Sequence, residues 1–123
     1  MAKATQEHRT LPNLLNRQFK QNTHGKVLLT DITYLFYGKG KKAYLSTVKD
    51  ASTNEILAYQ VSDHITLDIA TDTLFKLKNN RRVPFADSAF IHSDQGFHYT
   101  NPKFQKLVKK CGLGQSMSRR GNC

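Results

Sequence analysis

Two aspartates have the placing that chemistry needs. Asp31 sits inside the most apolar run of the chain, Val27 to Tyr37, and Asp94 ends a second apolar run, Ala89-Phe90-Ile91-His92. A carboxylate close to a sheet core loses hydration and needs hydrogen bonds, a cation or a metal ion to offset the loss. The pair therefore reads as hard oxygen ligands, or else as a turn-capping Asp94 and an Asp31 paired with Lys or Arg. His92 and His98 flank Asp94, but their spacing lacks the helical context of a zinc site, so stacked or solvent-facing imidazoles are expected. Gly96 reads as a tight turn after Asp94 or a plain loop glycine.

The elements that must position these acids follow from periodicity. Val27 to Tyr37 is aromatic and β-branched and ends at Gly38-Lys39-Gly40-Lys41, a strand followed by a hairpin turn. Tyr34, Phe36 and Tyr37 are expected in the core rather than as base-stacking platforms. Ala43–Val48 and Ile56–Val61 continue as strands around the turn-forming Asp50 to Asn54. Three strands joined by short turns predict an antiparallel meander.

Leu67, Ala70, Leu74 and Leu77 then recur with helical spacing, capped by Thr66 or Asp63. After the strand at 89–92, Pro102 opens a second helix with Phe104, Leu107, Val108 and Cys111 on one face and Gly112 at its end. Gln115–Ser118 is a last strand. The order β-β-β-α-β-α-β predicts an α/β fold, a mixed sheet with flanking helices. Residues 1–24 are polar and read as a linker or arm, with residues 25–123 as the domain.

Nineteen Lys and Arg against nine Asp and Glu give a net charge of +10, which favours polyanionic partners, nucleic acid first. From Gln95 onward there are six Lys or Arg and no acid. Lys110, Arg119 and Arg120 in this stretch are the candidate phosphate contacts, Arg because it donates bidentately. No apolar run approaches the roughly 18 residues of a membrane helix, and the first residues lack the apolar core of a signal peptide. A cytoplasmic protein is expected. Cys111 and Cys123 lack zinc-site spacing; Cys111 is read as helix packing.

The words around the acids resemble the integrase-core (DDE-type) transposases of bacterial insertion sequences, relatives of retroviral integrases. Thr30-Asp31-Ile32-Thr33-Tyr34 is similar to that family's first-aspartate strand, His92-Ser93-Asp94-Gln95-Gly96 to its second-aspartate turn, with Tyr99-Thr100 following, and Gln115 to Cys123 to the segment leading to its third acid. The resemblance covers about residues 11–123. It implies an RNase H-like fold, incomplete at the C-terminus, and a chain truncated at both ends, because the family's third acid, a Glu, would fall beyond Cys123 and no acid follows Asp94. The family's tryptophan before the first Asp is replaced by Leu28, a packing change.

By the same resemblance Asp31 would bridge two Mg²⁺ or Mn²⁺ ions and Asp94 would bind one, in DNA cutting and joining by metal-dependent transesterification. The complete transposase would act on DNA, with a homo-oligomer possible. With two carboxylates of three, the chain alone is expected to bind metal weakly and to be inactive. The alternative is a non-catalytic nucleic-acid-binding remnant of such a transposase. A small basic RNA-binding protein would explain the charge but not Asp31 and Asp94 in their settings.

Overall fold

The computed structural model describes residues 23–80 and 85–118. Five strands and three helices run in the order β1 (Val27–Tyr37), β2 (Lys41–Asp50), β3 (Ile56–Ser62), α1 (Asp68–Asn79), β4 (Phe90–Ser93), α2 (Phe97–Thr100), α3 (Pro102–Lys110) and β5 (Gly114–Met117). They form one sheet of order β3-β2-β1-β4-β5. The first three strands are the antiparallel meander, while β1/β4 and β4/β5 pair in parallel. The first strand therefore lies between the second and the fourth, the order that the family resemblance implies. The single turn of α2 was not legible as a helix, and the arm read over 1–24 falls, apart from its last two residues, outside the described residues.

Glycines set the β1–β2 turn: Gly38 and Gly40 have φ of 56° and 67°, a region that costs a side chain energy. The next turn is held by Asp50, whose carboxylate accepts from the Gly25 amide (2.9 Å) and from the amide and hydroxyl of Ser52 (both 2.8 Å). One buried side chain thus ties the start of β1 to the end of β2.

Alternation along each strand sends Leu28, Val48, Ala58, Ile91 and Met117 to the helical side of the sheet. There they pack with Ala70, Leu74 and Leu77 of α1, Tyr99 of α2, and Phe104, Leu107 and Val108 of α3. Leu28 is fully buried, so the leucine fills its place in the packing. A smaller cluster on the opposite face joins Val27 and Ala51, with Leu29 and Phe90 against them.

Helix α1 starts without either expected cap. Leu67 precedes it and makes no side-chain cap bond, Asp63 is spent on its neighbour His64 at 2.7 Å, and Thr66 offers only its carbonyl, to the Ile69 amide at 3.4 Å. Helix α3 follows its prediction: Pro102 stands in the first turn and Asn101 accepts from the Lys103 amide at 2.8 Å. At its end Gly112 has φ +78° and Leu113 donates back to the Val108 carbonyl, a left-handed helix stop. Cys111 packs partly buried against the core.

Lys76 of α1 and Asn80, the residue just past its end, reach the rim of the sheet, where Lys76 Nζ donates to the Tyr59 carbonyl (3.2 Å) and Asn80 Nδ2 to the Leu57 carbonyl (2.9 Å).

The core reading of the end of β1 also fails. Tyr34, Phe36 and Tyr37, read as core, are 60%, 78% and 50% exposed. The helical layer covers β1 only as far as Ile32, the last β1 residue packed on the main core, and the hairpin runs on beyond it.

Candidate functional site

The parallel pairing of β1 with β4 brings the two aspartates together. Leu29 is level with His92 in the last paired rung, and two residues further along come Asp31, still within β1, and Asp94, just past the end of β4, with the two strands about 4.8 Å apart. Thus 62 residues of intervening chain close onto one point at the carboxyl ends of two parallel strands.

Asp31 has an exposed side chain, yet its carboxyl is pushed above the usual range. Desolvation by the surrounding sheet is the main cause, and the negative charge of Asp94 adds to it; the Ile32 amide and the charge of Lys49 work the other way. Asp94 is also exposed, and its Oδ1 accepts from the Gly96 amide at 2.7 Å. Gly96 has an ordinary φ of −63°, so turning does not require the glycine. Space does: a Cβ there would stand 2.7 Å from Asp94 Oδ1. Ser93 steadies the same turn by donating to the Asp94 carbonyl at 2.8 Å.

Beneath the carboxylates lies Tyr99, a residue noted in the sequence only as part of the motif. Its hydroxyl is buried and makes no well-formed hydrogen bond. Burial foremost, then the charges of Asp31 and Asp94, push the phenol far above its ordinary range, with the Thr30 hydroxyl acting in the opposite sense. Thr30 itself donates to the Thr47 carbonyl at 2.9 Å. A neutral phenol is therefore the floor of the site. Its signal in sequence was only its distance after Asp94; no periodicity reports which hydroxyl ends up under a carboxylate.

The other candidates lie elsewhere. His92 is buried, with Nδ1 2.8 Å from Ser116 Oγ, and burial lowers its pKa so that the ring is neutral. It is thus a core histidine rather than a solvent-facing one, because its strand β4 is flanked on both sides. His98 turns away, its Nε2 2.9 Å from the Thr66 carbonyl and its ring tilted against Tyr99 with centroids 6.5 Å apart. Lys110 ends α3, which returns from the aspartate end of β4 to the start of β5, so the lysine stands about 12 Å along the helix from the carboxylate end. There it lines a groove with Asp68, Asp72 and Phe75 of α1. Arg119 and Arg120 lie outside the described residues.

Asp31 and Asp94 offer hard oxygen donors of the kind that suits Mg²⁺ or Mn²⁺. The two converging carboxylates fit part of a cation site; among the described residues no group of three or more His, Cys, Asp and Glu side chains is assembled for a metal ion. Among the described residues no helix is long and apolar enough to cross a membrane.

Comparison with known proteins gives these acids their setting. The family model for the Integrase core domain matches residues 21–123. The chain is 38% identical over 117 residues to transposase InsK for insertion sequence element IS150 of Escherichia coli, covering 93% of this chain and 39% of that protein. It is 34% identical over 112 residues to the uncharacterized 31 kDa protein of insertion element IS600 of Shigella sonnei, covering 91% and 40%. The chain therefore spans well under half the length of these relatives.

Among solved structures it resembles the simian T-cell lymphotropic virus intasome (TM-score 0.67, 17% identity, 90% of this chain and 37% of that chain). It also resembles the HTLV-2 integrase catalytic core domain in complex with magnesium, dimeric form (TM-score 0.63, 16% identity, 76% and 61%). At these identities the likeness is one of fold, the RNase H-like architecture. The chain belongs to the integrase core domain family, and its relatives there come from bacterial insertion sequences.

Proposed function

We propose that the chain is part of the catalytic core of a DDE-type insertion-sequence transposase, and that Asp31 and Asp94 are two of its metal-holding carboxylates in cutting and joining DNA. The observation that carries this is their convergence on adjacent parallel strands, close enough for the charge of Asp94 to raise the pKa of Asp31. Two like charges left side by side are repulsive, and a divalent cation would turn that repulsion into affinity.

When bound, two such cations would supply activation of the attacking oxygen and stabilisation of the leaving oxygen. Asp31 and Asp94 would hold them from adjacent strand ends. Gly96 keeps the Asp94 carboxylate in place through its amide, and the neutral Tyr99 excludes water from below. The magnesium in the HTLV-2 core supports the choice of metal, and the net charge of +10 supports DNA as the partner. The dimeric form of that core supports self-association of the complete transposase, which we place in the cytoplasm.

The sequence holds no acid after Asp94, which favours a second reading for these 123 residues alone: DNA binding without chemistry. One experiment addresses both. Cleavage of an element-end duplex with Mg²⁺ or Mn²⁺ should be absent for the 123-residue chain. It should be present for a protein of the relatives' full length that adds a third carboxylate, and abolished there by Asp31→Asn or Asp94→Asn. Cleavage that survives either substitution overturns the metal-site proposal.

A further inference from the structure

Large apolar side chains that project into water are common singly, but a cluster of them on a protruding element marks a contact surface. The β1–β2 hairpin carries such a cluster. On one face Tyr34 (60% exposed) and Phe36 (78% exposed) stand two residues apart, and Tyr44, paired with Tyr34 across the strands, places its ring 5.3 Å from that of Tyr34. The cluster is framed by cations: Lys42 Nζ lies 5.0 Å from the Tyr34 centroid and 5.4 Å from that of Tyr44, and Lys41 Nζ lies 5.9 Å from that of Tyr37. Lys39 sits in the turn itself, and no acid occurs between Asp31 and Asp50.

We propose that this hairpin is a nucleic-acid docking finger: the rings of Tyr34 and Phe36, backed by the half-buried Tyr44, stack unpaired DNA bases while Lys39, Lys41 and Lys42 contact the flanking phosphates. The inference deepens the DNA-partner reading above and rests on it. The exposed ring of Phe36, beside a Tyr34 ring that the Lys42 ammonium overlies, suits a single strand, because stacking is open to every base and the phosphates, which can draw the lysine off the ring, add an electrostatic term. A duplex hides its base faces. A second copy of the chain is a poorer occupant, since symmetric contact between two tips would set three lysines against three. Phe36 lies five residues along β1 from Asp31, about 17 Å in an extended strand. That is the rise of about five nucleotides in one strand of B-DNA, so the finger would hold DNA a short way from the carboxylates.

The test is binding of the 123-residue chain to an oligothymidylate and to a mixed-sequence duplex over a range of salt. Phe36→Ala should weaken single-strand binding about 5- to 100-fold and leave duplex binding unchanged. Combined Lys39→Gln, Lys41→Gln and Lys42→Gln should flatten the single-strand salt slope by about 2. The chain has no tryptophan, so Phe36→Trp adds a single reporter, whose emission should be quenched by the oligothymidylate. DNA binding by the parent chain that Phe36→Ala leaves intact, with no quenching of Phe36→Trp, overturns the finger and leaves the metal-site reading standing. No DNA binding by the parent chain overturns the finger together with the DNA partner. Self-association that Phe36→Ala abolishes while DNA binding is intact also overturns it, and assigns the rings to a second copy.

Discussion

The two ends of strand β1 live in different environments. At its start Val27 and Leu28 are buried, 2% and 0% exposed, one on each face of the sheet, whereas Phe36 near its end is 78% exposed. Asp31 stands at the boundary. One continuous apolar run thus holds the fold together at one end and presents rings to solvent at the other, and the aspartate pair occupies the point where packing gives way to solvent. Position relative to the helical layer, rather than residue type, divides the strand.

Mutation can break that contrast. The largest effect is expected from Leu28→Ala, which opens a cavity in the main core and should cost about 2–5 kcal/mol in denaturant unfolding, while Phe36→Ala should fall within about 0.5 kcal/mol of the parent. Equal losses at the two sites would show that the hairpin packs in solution. Next is Asp50→Ala, which leaves the Gly25 amide without its acceptor and should cost about 1–3 kcal/mol.

The pH dependence sharpens the comparison. Burial opposes ionisation of Asp50, but the bonds from Gly25 and Ser52 outweigh it and hold the carboxyl below its ordinary 3.8. Its contribution to stability is therefore full above pH 3.8 and lost as pH falls through the lower folded value. Asp31 has the opposite sign. Its folded pKa lies above 3.8, so without metal its ionisation weakens the fold as pH rises from 3.8 through the folded value. Acid titrations of unfolding should show Asp50→Asn removing part of the acid loss, and Asp31→Asn removing the opposing gain.

A smaller effect is expected from Gly96→Ala. Its φ suits alanine, so stability should be unchanged or slightly raised. The new Cβ must displace Asp94 Oδ1, and Mn²⁺ binding in a protein that carries the third carboxylate should weaken about tenfold. Unaltered affinity would remove Asp94 from the metal site.

Most of the architecture was legible because local signals agreed. Alternation gave the strands, three-and-four spacing gave both main helix faces, and short turns dictated the meander that sets β1 next to β2. The pairing of β1 with β4, and with it the meeting of Asp31 and Asp94, came from words around the acids that resemble a known family. What escaped depends on where one element stops covering another. The run Tyr34 to Tyr37 reads the same buried or exposed, since periodicity does not record how far the helical layer reaches. His92 looks polar in sequence and becomes core because Ser116 on the neighbouring strand meets it. The α1 cap failed because Asp63 found a nearer partner in His64.

The two bonds from α1 to the rim of β3 also bear on assembly. An outermost strand offers unsatisfied carbonyls to any other extended chain, and growth by strand addition begins at such a row. Lys76 and Asn80 occupy the Tyr59 and Leu57 carbonyls from the side, at the strand whose Ile56, Tyr59 and Val61 are all about half exposed. The helix therefore works as a guard rail as well as a packing partner, and Lys76→Ala with Asn80→Ala should reveal it by faster appearance of thioflavin-positive aggregates with little change in folding stability.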